Sequence, residues 1–200
     1  MGDEPEPAAV ERGTEAAEPA TVLVVDDDPD VTALYAEWLA DDYDVRVAHD
    51  GRRALAVLDE VPVDVALLDR RMDDVSGDEV LAAIRSRGHD CRVAMVTAVE
   101  PDFDLVDVPF DDYLGKPVSR TELRATVAGL VALEEYAALH LELSSKRVRR
   151  SVLRGEKRRV ELEESEAFER LNDEIERLEE RLADIERDHP EYVSAFEQIK

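Results

Sequence analysis

The chain holds one cysteine, Cys91, one tryptophan, Trp38, and four lysines, Lys116, Lys146, Lys157 and Lys200. A lone thiol cannot close an internal disulfide, so a reducing, cytoplasmic setting is expected. No apolar run approaches the ~20 residues that cross a bilayer, so a spanning helix and membrane partners are excluded from the expectation. Basic charge is scarce as well. Twenty-five Lys+Arg face 50 Asp+Glu, a formal net charge of −25. Such an acid excess argues against generic binding to nucleic acid or to anionic lipid. With arginine preferred over lysine, it suits a protein kept soluble in strong salt, and a halophilic source is expected. Residues 1–20 carry acid and proline without an apolar core, and read as a disordered acidic tail.

Past this tail the pattern alternates. Short apolar runs occur at 21–25 (TVLVV), 44–49 (DVRVAH), 63–69 (VDVALLD), 92–98 (RVAMVTA) and 111–117 (DDYLGKP). Between them, 30–40, 51–59 and 77–88 place apolar residues at helical spacing, and Gly88 closes the third. Val- and Leu-rich strands separated by helices predict an α/β domain with a doubly wound, five-stranded parallel sheet over residues 21–130.

Past Pro117 the character changes. Residues 119–187 contain no proline and are rich in Glu, Arg, Leu and Ala, which predicts an all-α module over 131–200. A stripe runs through Leu123, Val127, Leu130, Ala137, Leu141, Val148 and Val152, interrupted by Glu134 and Ser144. From Phe168 through Leu171, Ile175, Leu178 and Leu182 to Ile185 the gaps alternate three and four, a coiled-coil seam. The seam either folds back on the preceding helix, with Gly155 in the bend, or zips with a second chain as a homodimer through 168–185. The acid is unevenly spread. Residues 119–200 hold 15 basic and 20 acidic side chains, net −5, which leaves 10 and 30, net −20, for 1–118.

Ligands of open parallel sheets bind outside the carboxyl ends of the strands. At such ends the sequence places Asp26 and Asp27, Asp69, Thr97 and Lys116. Convergent carboxylates form a hard-oxygen site, most naturally for Mg²⁺. A lysine opposite them is a point charge suited to phosphate oxygens, and a threonine hydroxyl can bond another. Such a pocket can turn a carboxylate into a nucleophile toward a phosphoryl group. Asp28 reads instead as a helix N-cap. His49, His89, His140 and His189 show no metal-ligand spacing.

The blocks VLVVDDDPD, VALLDRRM with SGDEVL, VTA and DDYLGKP, in this order, resemble the receiver (CheY-like) domains of response regulators. The resemblance implies a flavodoxin-like fold and roles for individual residues. Asp69 would be the phosphoacceptor. Asp26, Asp27, Asp69 and the backbone carbonyl of Arg71 would hold Mg²⁺. Lys116 would contact the phosphoryl group, Thr97 and Tyr113 would be the switch pair, and Lys116-Pro117 would be a cis peptide. It also implies a sensor histidine kinase as partner and a phosphoacceptor regulator rather than an enzyme. Three departures stand out. Asp73 replaces the proline usual after the phosphoacceptor, which loosens that loop. Residues 100–110 have room for only a stunted helix. Arg71 and Val99, near the approach of a hydrolytic water, cannot orient it.

The C-terminal half resembles the HalX domain of haloarchaeal response regulators, on SSKRVRRSVLRGEKRRVELEESEAFERLNDEIERLEERL. Its basic joint, 146–159, carries eight Lys+Arg against Glu156. It reads either as a contact for DNA or an acidic partner, or as a helix end that pairs with the Glu-rich helix behind it. Switching through protein–protein contacts is the expected output. The rivals are a Mg²⁺-dependent phosphohydrolase with Asp69 as nucleophile, a transcription regulator touching DNA through 146–159, and a coiled-coil adaptor with a degenerate receiver.

Overall fold

The computed structural model describes residues 19–98 and 108–198, with side chains as far as Ser194. Residues 1–18 of the expected tail, Val99 and most of the stretch expected to hold a stunted helix lie outside the described residues. Five parallel strands, β1 (Thr21–Val25), β2 (Asp44–Ala48), β3 (Val65–Leu68), β4 (Arg92–Thr97) and β5 (Asp112–Gly115), form one sheet in the order β2-β1-β3-β4-β5. Residues pair Thr21 with Asp44, Val22 with Val65, Val65 with Arg92 and Ala94 with Asp112.

Both faces of this sheet are covered, which is why its central strands are apolar along nearly all of their length, with Thr21, Arg92 and Thr97 at their ends. Val22, Val24, Val65, Leu67, Ala94 and Val96 point to one face. There they pack on Tyr35 and Leu39 of α1 (Pro29–Leu39) and on Leu123, Val127 and Leu130 of α4 (Arg120–Glu156). Leu23, Val25, Ala66, Leu68, Val93 and Met95 point to the other. These meet Ala54 and Leu58 of α2 (Gly51–Glu60) and Val80 and Ile84 of α3 (Gly77–Arg87). Local chemistry sets the helix ends. Asp28 caps α1, accepting a hydrogen bond from the Asp30 amide, with Pro29 in the first turn. Ser76 with Glu79, and Ser119 with Glu122, form capping boxes on α3 and α4. Gly88 ends α3 at φ 70°, a left-handed conformation that favours glycine.

The 37-residue α4 continues unbroken beyond the sheet and runs through Gly155. The bend expected at that glycine falls instead at Lys157–Arg158, before the single turn α5 (Arg159–Glu163). The 23-residue α6 (Glu166–Asp188) then returns antiparallel along α4, and α7 (Pro190–Gln198) comes last. The three-four seam is consumed within the chain. Ile175, Leu182 and Ile185 are buried against Tyr136 and Leu143. A homodimer through 168–185 is therefore corrected to an intramolecular hairpin, because α4 already occupies that face. Ion pairs fix its register: Lys146 to Glu174 at 2.8 Å, Arg147 to Glu179 at 2.9 Å and Arg181 to Glu135 at 2.7 Å. The start of the basic joint thus pairs with the acidic helix behind it.

The stripe expected along α4 splits in two. Leu123, Val127 and Leu130 lie against the sheet, and Glu134 pairs with Arg92 at 2.8 Å. Leu141, Val148 and Val152 are 76%, 63% and 58% exposed. The reason is geometric. Eleven and 18 residues on from Leu130, at about 100° per residue, the chain returns to the same side of the helix. That side faces the sheet only as far as the sheet extends. The hairpin core, through Tyr136 and Leu143, sits on the opposite side.

The thiol of Cys91 is 4% exposed, and burial pushes its pKa up to about 12. Iodoacetamide at about pH 8 should leave Cys91 unmodified in the folded protein and alkylate it fully in denaturant, read by intact mass. Rapid labelling of the native chain would contradict this packing.

Candidate functional site

The strand order reverses direction between β1 and β3. The connection through α1 leads outward to β2, and the connection through α3 leads the other way to β4. A crevice opens at the carboxyl ends of these two central strands. Asp26 and Asp69 are the residues that directly follow β1 and β3, and Lys116 directly follows β5. Backbone hydrogen bonds continue the sheet one step into the site and fix all three positions. The Asp26 amide donates to the Ala48 carbonyl at 3.2 Å, the Asp69 amide to that of Val25 at 2.9 Å, and the Lys116 amide to that of Thr97 at 2.9 Å.

Carboxylate oxygens of Asp26, Asp27 and Asp69 lie within 4.8 Å of one another. Asp26 and Asp69 are 2% and 8% exposed, and Asp27 opens to solvent. The Lys116 ammonium bridges the two buried members, 2.5 Å from Asp26 Oδ2 and 2.6 Å from Asp69 Oδ2. The remaining oxygens accept backbone hydrogen bonds, Asp26 Oδ1 from the Asp28 amide at 3.0 Å and Asp69 Oδ1 from the Arg71 amide at 3.2 Å. Burial raises the Asp26 carboxyl above its usual range; the Lys116 hydrogen bond and charge oppose this without reversing it. For Lys116 burial works downward, but the hydrogen bonds and charges of Asp26 and Asp69 win and raise the ammonium. Two desolvated carboxylates sharing one cation, with a third carboxylate at the mouth, are a donor set of hard oxygens that fits Mg²⁺.

Thr97 ends β4 at 1% exposure, in register with Gly115. Tyr113 is half-buried two residues back along β5, in register with Met95, its ring 5.9 Å from that of Phe110. The Lys116-Pro117 peptide is cis. Arg71 is exposed, and Asp28 serves as the N-cap described above. The loop carrying Asp73 is tied at its ends. The Gly77 amide donates to the Arg70 carbonyl at 3.1 Å, and Arg70 pairs with Asp78 at 3.0 Å. A Cβ at Gly77 would overlap the Asp69 carbonyl. These contacts, rather than a proline, hold the chain after Asp69.

One connection to the site had no signal in the sequence. The Tyr192 hydroxyl of α7 donates to Asp112 Oδ2 at 2.7 Å, one residue before Tyr113. Its ring lies over Gly129 of α4, where a Cβ would overlap it. Burial first, then the Asp112 hydrogen bond and charge, raise the Tyr192 hydroxyl well above its usual range. Tyr192 sits 80 residues from its partner, beyond the reach of any local pattern.

The chain matches the model of the response regulator receiver domain over residues 22–128 and that of the HalX domain over 132–199. A protein of Haloferax volcanii, whose name marks it as a candidate transcriptional regulator, is 49% identical over 142 residues, 67% of this chain and 24% of its own. The transcriptional regulatory protein CpxR of Klebsiella pneumoniae is 40% identical over 114 residues, 55% of this chain and 48% of CpxR. The chain thus spans about a quarter and about a half of these two relatives. Among solved structures, the response regulator TrrA of Thermotoga maritima, in complex with Mg²⁺ and beryllium fluoride, superposes with a TM-score of 0.50 at 29% identity. That match covers 56% of this chain and 98% of TrrA.

Removing the bridging ammonium leaves two buried like charges face to face. Lys116→Met should cost about 1–3 kcal/mol of stability at neutral pH in the presence of a chelator, measured by urea denaturation. Added Mg²⁺ should recover part of the loss. A variant as stable as the wild type would show that the bridge does not balance the pocket.

Proposed function

This chain belongs to the response regulator receiver family, with a HalX domain behind the receiver, and from that premise we propose that Asp69 is its phosphoacceptor. The protein is a two-component response regulator. The observation that carries the assignment is the bridge of Lys116 to Asp69 and Asp26 at the mouth of the crevice. It brings an ammonium onto two buried carboxylates, with the carboxylate of Asp27 beside them.

In the proposed reaction an Asp69 carboxylate oxygen attacks the phosphorus of a kinase phosphohistidine. The phosphorus–nitrogen bond breaks, the electron pair leaves with the imidazole, and an acyl phosphate forms on Asp69. The Lys116 ammonium, already on the Asp69 carboxylate, neutralises phosphoryl oxygens as they arrive. Asp26 and Asp27, together with Asp69 and the Arg71 carbonyl, would hold Mg²⁺. When bound, the ion supplies charge neutralisation at the phosphoryl oxygens. Thr97 offers its hydroxyl to the modified aspartate, and Tyr113 follows it along β5. The complex of TrrA with Mg²⁺ and beryllium fluoride supports the reading by analogy.

From β5 the change would reach the helical module by two routes. One is α4, which packs on the sheet and continues as the first helix of the hairpin. The other is the Tyr192–Asp112 hydrogen bond beside Tyr113. Output through protein contacts is favoured over base readout, because Lys146 and Arg147 of the basic joint are engaged by Glu174 and Glu179.

Incubation with acetyl phosphate or a histidine kinase and Mg²⁺, followed by intact mass, tests the assignment. One phosphoryl group should appear on the wild type and none on Asp69→Asn, with both proteins folded. No carboxylate or amide side chain at Arg71 orients water, so the adduct should last minutes rather than seconds. Phosphorylation of Asp69→Asn at the wild-type rate would overturn the assignment, and turnover of acetyl phosphate within seconds, with no adduct accumulating, would make the protein a hydrolase.

A further inference from the structure

We infer that the exposed side of α4 beyond the sheet is a self-association surface that pairs two copies of this chain antiparallel. The face holds Leu141, Ser145, Val148 and Val152, with Ala138 before them and Gly155 after, all exposed. Their gaps alternate three, four, three, four, three, which is the pattern of a coiled-coil seam. It lies on the side of α4 opposite Tyr136 and Leu143, so the hairpin with α6 leaves it uncovered. Exposed leucine and valine repeating along one helix side form a patch that soluble proteins usually cover.

Three observations identify the occupant as a second copy and set its direction. The first is size. With a two-fold axis between Lys146 and Arg147, Leu141 of one copy meets Val152 of the other, Val148 meets Ser145, and Ala138 meets Gly155. Each larger side chain then lies opposite a smaller one, which allows close packing.

The second is charge. In the same register Glu142 of each copy flanks Arg149 of the other, so two ion pairs form by symmetry. Glu142 is 54% exposed at its side chain and already lies 3.3 Å from Lys146 of its own helix, so it would share its carboxylate between Lys146 and the partner's Arg149, which forms no ion pair among the described residues. A parallel pairing would set Ser144 against Arg149 and Ser151 against Glu156, with no complementary charges.

The third is shape. The seam continues the side of α4 that packs on the sheet, so each receiver protrudes on the interface side. Two receivers at the same end would collide. Antiparallel pairing separates them, and brings each receiver, within the net −20 of residues 1–118, beside the partner's basic tip at Arg154, Lys157 and Arg158. The helix is already ordered by the sheet and by α6, so pairing does not bear the entropy of forming it.

Light scattering of the full, unphosphorylated chain over a concentration series tests the inference. The mass should rise toward twice the chain's 22.5 kDa. Leu141→Asp combined with Val148→Asp alters exposed side chains, so helicity should be kept while the mass stays monomeric. Glu142→Arg should weaken pairing tenfold or more, and Glu142→Arg with Arg149→Glu should restore it. For direction, a mixture of Ser145→Cys and Val148→Cys proteins should form mixed disulfides faster than either protein alone. A wild type that stays monomeric, a dimer that survives the double aspartate variant, or faster self-crosslinking of Val148→Cys would each overturn it. So would a monomer that binds duplex DNA through this face and loses that binding in the double aspartate variant.

Discussion

A single ammonium held between two buried carboxylates organises the receiver end of this molecule. Lys116 reaches Asp26 and Asp69 from the far side of β3 and β4, tying the ends of β1, β3 and β5 together. The arrangement holds as long as charges balance. A phosphoryl group on Asp69, as proposed above, would add negative charge where one cation already serves two anions, beside the ends of β4 and β5. Thr97 and Tyr113 lie on those two strands.

The rest of the chain is built so that an adjustment there is felt. The helix that covers the sheet beside α1 is also the first helix of the hairpin, so no flexible linker separates the two. The last helix returns to the receiver, where Tyr192 lies over Gly129 and bonds Asp112. The helical module is therefore clamped at both its beginning and its end to elements next to Thr97 and Tyr113. A shift of β5 must either carry α7 with it or break that hydrogen bond.

Much of this was legible in the sequence because it rests on local patterns. Continuous Val and Leu runs announced strands covered on both faces, and β1, β3 and β5 are each followed at the carboxyl end by a residue that builds the site. Asp28 before Pro29, and Gly88 after α3, announced a cap and a stop. What the sequence hid was which surface covers a given stripe. Leu130 and Leu141 share one side of α4, yet one is buried by the sheet and the other is exposed, because the sheet ends between them. The seam from Phe168 to Ile185 looked equally ready for a second chain or for α4. Long-range partners such as Glu179 for Arg147 decided it, and these leave no trace in spacing. Gly155 suggested a bend, but the favourable helix residues around it carry the helix one residue further. The Tyr192 contact depends on the whole hairpin being in place.

Phosphorylation of Asp69 is proposed to reach the helical module through β5 and the docked α7. Amide hydrogen exchange of the intact protein, with and without the phosphoryl group, puts this coupling to the test. Exchange in β5 and in α7 should change together on phosphorylation, and in neither segment when Asp69→Asn is treated identically. A fully phosphorylated protein in which β5 responds while α7 exchanges as before would contradict it.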